Sequence, residues 1–227
     1  MAGRAIDAPL PNTLGALLAE FFARHADEKL APKTVERYRE QAAYLSPELL
    51  GLPLTEIPPL HFAREWDRLL KSGGHRRRDK SPRPMSAKTV RNIAGVVSAA
   101  YTRGVIWELV DTNPVKASEP PVVPNRQGMA LTPQQQALMR DTASGPWCLP
   151  AFIEVSAATG ASRGEVLALR WSDIVDGRAT IKRSLSQTKK SLGVKGTKSE
   201  RERVVSLPAS TLAILEDHRQ CQEEFRR

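Results

Sequence analysis

Cysteine is nearly missing from this sequence: 227 residues hold two, Cys148 and Cys221. They stand far apart with no other ligand types at metal spacing, which excludes a disulfide-stapled scaffold and a cysteine-built zinc site. The expectation is two buried free thiols in a reducing compartment, with a single disulfide between them left as the alternative. No apolar run approaches the length needed to cross a bilayer. The start, Met1-Ala2-Gly3-Arg4-Ala5-Ile6-Asp7, has no continuous apolar core of the kind a secretory signal needs, so the cytoplasm is the expected location. Internal repeats and low-complexity tracts are missing as well. What remains is an ordinary globular composition, 41% hydrophobic and 26% charged, long enough for one large domain or two small ones.

Acidic charge is in deficit. The net charge is +9 and the isoelectric point near 9.9, which points to a polyanionic partner such as nucleic acid. When the chain is split after Pro124, both halves are basic on balance. That suits two DNA-facing lobes better than one neutral domain with a basic tail, although solubility alone also explains excess charge.

The first half reads as helices. Leu14, Leu17, Leu18, Phe21 and Phe22 repeat at helical spacing and make one apolar stripe. Pro32 sits at a tolerated first turn, and Thr34 to Leu45 carries Val35, Tyr38, Ala42 and Leu45 on one face. Phe62, Trp66, Leu69 and Leu70 mark a third helix over 60–70. Lys71 to Pro84 is charged and has almost nothing apolar, so a solvated loop is predicted. Ser86 can cap a fourth helix bearing Val90, Ile93, Ala94, Val97 and Tyr101. Asn113-Pro114 ends this part, and Ser118 to Gly128, with Pro120, Pro121 and Pro124, reads as a stiff, extended linker.

A second start follows. Thr132-Pro133-Gln134-Gln135 offers a cap, a first-turn proline and a returning glutamine. Helices are predicted at 133–143, 148–158 and 163–170. After the Asp176-Gly177 turn, Ala179 to Leu185 is a candidate strand that Arg203 to Leu207 can pair with, and Gly193 and Gly196 lie in the connection between them. Pro208 to Phe225 is a final amphipathic helix, on which His218 and Cys221 are expected to face the core beside Ile214 and Phe225. The fold class is mainly α with a small β-hairpin (α+β). Its domains are a helical one over 11–116, a linker over 117–128 and a second domain over 129–227.

One stretch carries more than periodicity: Thr159-Gly160-Ala161-Ser162-Arg163-Gly164-Glu165, leading into Leu167-Ala168-Leu169-Arg170-Trp171-Ser172-Asp173-Ile174. It resembles the first catalytic box of the tyrosine recombinases, the phage integrase family, a Thr-Gly-x-Arg-x-x-Glu turn before Leu-Arg-Trp-x-Asp. Ser86 to Ile93, Asn113-Pro114-Val115 and Thr197 to Pro208 support the likeness, which runs from about Pro11 to Arg227. The resemblance implies a helical core-binding domain and a catalytic domain that together clamp duplex DNA. It further implies DNA integration and recombination through a 3′-phosphotyrosyl intermediate, without metal or other cofactor. In that chemistry a tyrosine attacks phosphate, arginines neutralise its oxygens and a lysine protonates the leaving oxygen. No small-molecule substrate and no membrane partner is expected, and recombinase protomers on a shared DNA site are.

The carry-over is incomplete. Ser162 stands where the family has its first catalytic arginine, and Arg163 is one place late. A hydroxyl brings one neutral hydrogen bond and no charge, so transition-state stabilisation is expected to fall by about several kcal/mol. Neighbouring helical residues point about 100° apart, so Arg163 does not simply take over. Ser162 and Glu165 also form a capping-box pattern, and Glu165 matches the family's buried acid in a supporting role. Lys198 matches the hairpin lysine, with Lys195 the alternative if the register differs. Both lie in a run with Lys189, Lys190, Arg201 and Arg203 that also reads as a solvated loop.

Downstream of Lys198 there is no His-x-x-Arg box and no tyrosine. His61-Phe62-Ala63-Arg64 and His75-Arg76-Arg77-Arg78 lie upstream of the box and are chance matches, and Tyr38, Tyr44 and Tyr101 read as core residues. For phosphate contact the candidates are Arg76, Arg77, Arg78, Lys80, Arg83, Lys88 and Arg91. The expectation is a C-terminally incomplete recombinase homologue that binds DNA without cleaving it. In it, apolar surface at Leu212, Leu215 and Phe225 is left uncovered. A non-catalytic regulator competing with an intact recombinase is the alternative, and a helical nucleic-acid-binding protein without recombinase ancestry is the third reading.

Overall fold

Two separate sets of buried side chains organise the chain. The computed structural model describes residues 9–75, 81–125, 128–143, 148–197 and 201–226, and the chain divides into two compact units, Met1–Arg126 and Gln127–Arg227.

In the first unit Thr13 caps α1 (Leu14–Phe21), its hydroxyl accepting the Ala16 N–H at 3.2 Å. A π-helical turn, Phe22–Ala26, carries the chain into α2 (Asp27–Lys29). The stripe Leu14, Leu17, Leu18, Phe21 and Phe22 is buried along its length. Prolines open α3 (Pro32–Ala42), α4 (Pro47–Gly51) and α5 (Pro59–Ser72), where their missing N–H costs no helical bond. Ser86 caps α6 (Ala87–Ile106), and α1, α3 and α5 all pack against this central helix. Val90, Ile93, Val97 and Tyr101 are fully buried, and each of the three aliphatic side chains contributes about 1.5–3 kcal/mol. Tyr101 meets Phe62 edge-on at 5.7 Å.

Three expectations change here. The segment 71–84 is not loop throughout: Lys71 and Ser72 finish α5, and β1 (Gly74–His75) pairs antiparallel with β2 (Pro82–Arg83). Ser118 does not begin an extended linker. It ends a 3-10 turn, Pro114–Ser118, and lies buried because the indole of Trp66 needs an acceptor. Trp66 Nε1 donates to Ser118 Oγ at 2.9 Å, and that hydroxyl donates to the Val115 carbonyl at 2.8 Å. Tyr44 is 40% exposed at the surface, not a core residue.

The second unit begins with α7 (Pro133–Asp141), where Thr132 and Gln135 cap each other reciprocally at 2.9 and 3.2 Å. α8 (Leu149–Thr159) follows, then α9 (Arg163–Leu167). The helix predicted over 163–170 stops at Leu167 and gives way to a 3-10 turn, Trp171–Asp173, because the Asp173 carboxylate takes the Arg170 N–H at 3.0 Å. β3 (Ile174–Val175) turns through Asp176 and Gly177, at φ 49° and 69°, into β4 (Arg178–Ile181). β7 (Arg203–Ser206) pairs with β4, Ala179 opposite Val205.

The strand predicted over 179–185 breaks at Lys182. Its second part is β5 (Arg183–Gln187), which pairs with β6 (Leu192–Gly196), Leu185 opposite Val194. The glycine-bearing connection is therefore a second hairpin.

α10 (Ala209–Phe225) closes the unit over a small core of Val155, Ala179, Leu207 and Leu215. Leu215 is covered by that core, contrary to expectation, while Phe225 is 80% exposed. Both cysteines are exposed and not buried. Cys221 falls off the face of α10 that buries Thr211 and Leu215. Among the described residues no helix is long and apolar enough to cross a membrane.

Candidate functional site

The Thr-Gly turn is built by local chemistry. The Thr159 hydroxyl donates to the Val155 carbonyl at 2.6 Å and accepts the Ala161 N–H at 3.2 Å. Gly160 then takes the left-handed conformation, φ 62°, that ends α8. Ser162 is the exposed cap of α9, and its backbone N–H donates to Glu165 at 2.8 Å. Ser162 thus places a short, uncharged hydroxyl at the exposed start of α9.

Glu165 is buried and engaged. Arg203, at the start of β7, donates from both terminal nitrogens to its two carboxylate oxygens, at 3.1 and 3.0 Å. That forked pairing is the strong form of the interaction. Arg203's guanidinium, against the opposing pull of burial and helped by the Ser162 N–H, holds the Glu165 carboxyl down to about 2. The same pairing raises Arg203 above the usual arginine value.

A second buried acid does similar work. Asp173 accepts from the Arg170 N–H and from the Arg183 guanidinium, with Lys182 Nζ at 3.4 Å. Burial works against its charged form, but those donors keep the Asp173 carboxyl below the ordinary range. Two carboxylates therefore staple the box to its strands: Glu165 ties α9 to β7, and Asp173 ties the 3-10 turn to β5. Neither pairing has a local sequence signature, since Arg203 lies 38 residues beyond Glu165. The sequence marks Arg203 as the start of a strand and as one of a basic run, and gives no sign of its pairing with Glu165.

Arg163, the residue after Ser162, is exposed. It borders an apolar groove of about 620 Å³ whose lining includes Phe152, Val166, Trp171 and Leu215, and Glu165 is not part of that lining. His218 also borders the groove, with its ring 6.0 Å from Trp171 and its pKa lowered by burial. Gly164 meets β5 closely: a methyl group there would lie 2.5 Å from Ser184 Oγ and 2.7 Å from the Leu185 carbonyl oxygen.

Lys198 lies outside the described residues, as do Arg76, Arg77, Arg78 and Lys80. The segment that holds Lys198 is bracketed by Thr197, which is buried and donates from its hydroxyl to the Arg201 carbonyl at 3.0 Å. Lys195 is an exposed residue of β6. Of the first-unit candidates, Arg83 is exposed on β2, and Lys88 and Arg91 are exposed in the first turns of α6. Arg91 Nη1 reaches the Pro121 carbonyl at 3.4 Å.

Comparison with known proteins adds the following. No family model matches the chain. The integrase of Enterobacteria phage 434 is 23% identical over 177 residues, which are 78% of this chain and 46% of that protein. This chain therefore spans less than half the length of that curated relative. Among solved structures, the Tn1549 transposon integrase in complex with a circular intermediate DNA superposes with a TM-score of 0.71 at 15% identity, over 91% of this chain and 65% of that one. A lambda integrase tetramer bound to a Holliday junction gives 0.67 at 20% identity, over 96% and 59%. The fold is that of these integrases along nearly the whole chain, and the resemblance read from the Thr-Gly box stands on sequence and structure together.

Proposed function

We propose that this chain, with the fold of the tyrosine recombinases and a likeness to a phage integrase, is a duplex-DNA-binding recombinase homologue whose phosphate clamp is defective. The observation that carries the reading is the geometry at Ser162. The box folds with its threonine, glycine, glutamate and aspartate all engaged, yet it presents an uncharged hydroxyl where the family's chemistry uses a guanidinium. A charged, forked donor is worth far more to a developing phosphate charge than a neutral one.

DNA contact is supported by the net charge of +9, by the exposure of Arg83, Lys88 and Arg91, and by the presence of DNA in the integrase structures that share the fold. Arg76, Arg77, Arg78 and Lys80 belong to the same basic run in sequence. These residues neutralise phosphates and orient the first unit. Lys198 is the candidate general acid and Glu165 a supporting residue through Arg203. Arg163, one place late in the box and bordering the apolar groove, does not replace the missing arginine.

Likeness to a lambda integrase dimer and tetramer supports assembly beside other recombinase protomers. In that setting the chain competes with an intact recombinase for its core sites. The test is equilibrium binding of a labelled duplex. Affinity falls steeply between about 50 and 200 mM salt if phosphate contacts dominate. Binding that is absent, or indifferent to salt, overturns the proposal.

A further inference from the structure

We infer that the apolar groove of the second unit is a binding site for a small amphipathic anion, an apolar body of about two rings that carries one carboxylate. The inference stands apart from the DNA-binding reading and survives if that reading fails.

The groove of about 620 Å³ is lined by residues of α8, α9, the Trp171 turn and α10, so it belongs to the second unit alone. Small-molecule sites occupy about 300–1,000 Å³, and this volume falls inside that range. Its apolar side is built from Phe152, Val155, Val166, Trp171 and Leu215. Val155 and Leu215 also belong to the core of the unit, so this part of the wall is set by the fold. Trp171 is held in place as well. Its indole N–H donates to Gln222 at 2.8 Å, and the Arg219 guanidinium lies 5.6 Å from its ring centroid. A ring already fixed loses little freedom when a ligand packs on it.

The charge around the groove has one sign. Arg163, Arg170, His218 and Arg226 line it, and among the described residues no aspartate or glutamate does. Glu165 and Asp173, the acids nearest in sequence to Arg163 and Arg170, are committed to Arg203 and Arg183. The side chains of Arg163 and Arg226 are exposed and form no ion pair among the described residues.

These two features select the ligand together. An uncharged apolar molecule buries its surface against the walls but gains nothing from the guanidinium groups. A small inorganic anion meets the cations but has no body to bury. An apolar body with one carboxylate does both, and a guanidinium gives that carboxylate a charge-assisted, forked pair of hydrogen bonds. Without acids in the lining, the bound charge meets no repulsion there. A second copy of this chain is the rival occupant, since α10 ends at Phe225, which is 80% exposed.

Isothermal titration calorimetry of the full chain with naphthaleneacetate, its neutral amide and plain acetate tests this. The aromatic carboxylate is expected to bind at least about tenfold more tightly than the amide, and acetate to give no measurable heat of binding. In R163Q/R226Q the preference for the carboxylate is expected to shrink below about threefold, with the affinity for the amide kept. R163K/R226K is expected to restore most of it. Both positions are exposed, so folding is preserved, and the retained amide affinity together with a matching far-ultraviolet spectrum checks it. A parent chain that does not bind naphthaleneacetate overturns the inference. So does one that binds the amide equally well, or a preference that persists in R163Q/R226Q. A parent chain that sediments as a dimer and takes up no naphthaleneacetate overturns it in favour of the second copy.

Discussion

Replacing Glu165 with glutamine probes the link between the Thr-Gly box and its strands. The carboxyl titrates at about 2 in the folded chain against 4.5 ordinarily, a difference worth about 3 kcal/mol if fully expressed. The Arg203 side chain is 38% exposed, and glutamine keeps an acceptor, so solvent screening leaves an expected loss of about 1–2 kcal/mol at pH 7. The folded value lies below the unfolded one. The stabilisation is therefore complete above about pH 5 and disappears as the pH falls from about 4.5 towards 2. Urea unfolding of both proteins across this range, followed by tryptophan fluorescence, isolates the effect, because every other carboxylate titrates in both. The two stabilities should differ at pH 7, draw together as the pH falls through about 4.5 to 2, and converge below about pH 2. A difference that persists unchanged at low pH, or no difference at pH 7, refutes the assignment of the stabilisation to the Glu165–Arg203 charge pair.

Gly164→Ala should destabilise the second unit by about 1–3 kcal/mol, since the new methyl collides with Ser184 and the Leu185 carbonyl; an unchanged melting temperature contradicts the close packing of α9 on β5. Ser118→Ala strands the buried Trp66 indole N–H and should cost about 1–3 kcal/mol, read as an earlier urea midpoint. Both thiols should react with a chromogenic disulfide reagent in the native chain, because Cys148 and Cys221 are exposed; labelling that waits for denaturant contradicts the structure.

Much of the fold is legible in local sequence. The stripes on α1, α3, α5 and α6 are contiguous patterns, and the caps at Thr13, Ser86 and Thr132 use residue types that a helix start favours. What escaped was long-range or lacked punctuation. The tip of the β5–β6 hairpin is Thr188-Lys189-Lys190-Ser191, with none of the glycine or asparagine pairs that announce a tight turn, and its closure depends on one threonine side chain. Ser118 looked like linker because its neighbours are prolines. Its burial follows from Trp66, 52 residues earlier. At the box, the capping pattern of Ser162 and Glu165 was readable, but the commitment of Glu165 to Arg203 depends on the sheet that brings β7 beside α9. The cysteines were misjudged because residue type predicts burial only on average, and Cys221 falls on the outer side of its helix.

The central proposal is that this chain holds duplex DNA without performing strand transfer, with Ser162 standing uncharged where the resembled family uses an arginine. A nicked suicide duplex, which traps any covalent protein–DNA intermediate, tests both parts in one incubation analysed on native and denaturing gels. The account predicts a retarded complex on the native gel and no adduct on the denaturing gel. A covalent adduct formed by the 227-residue chain, or the absence of any native complex, contradicts it.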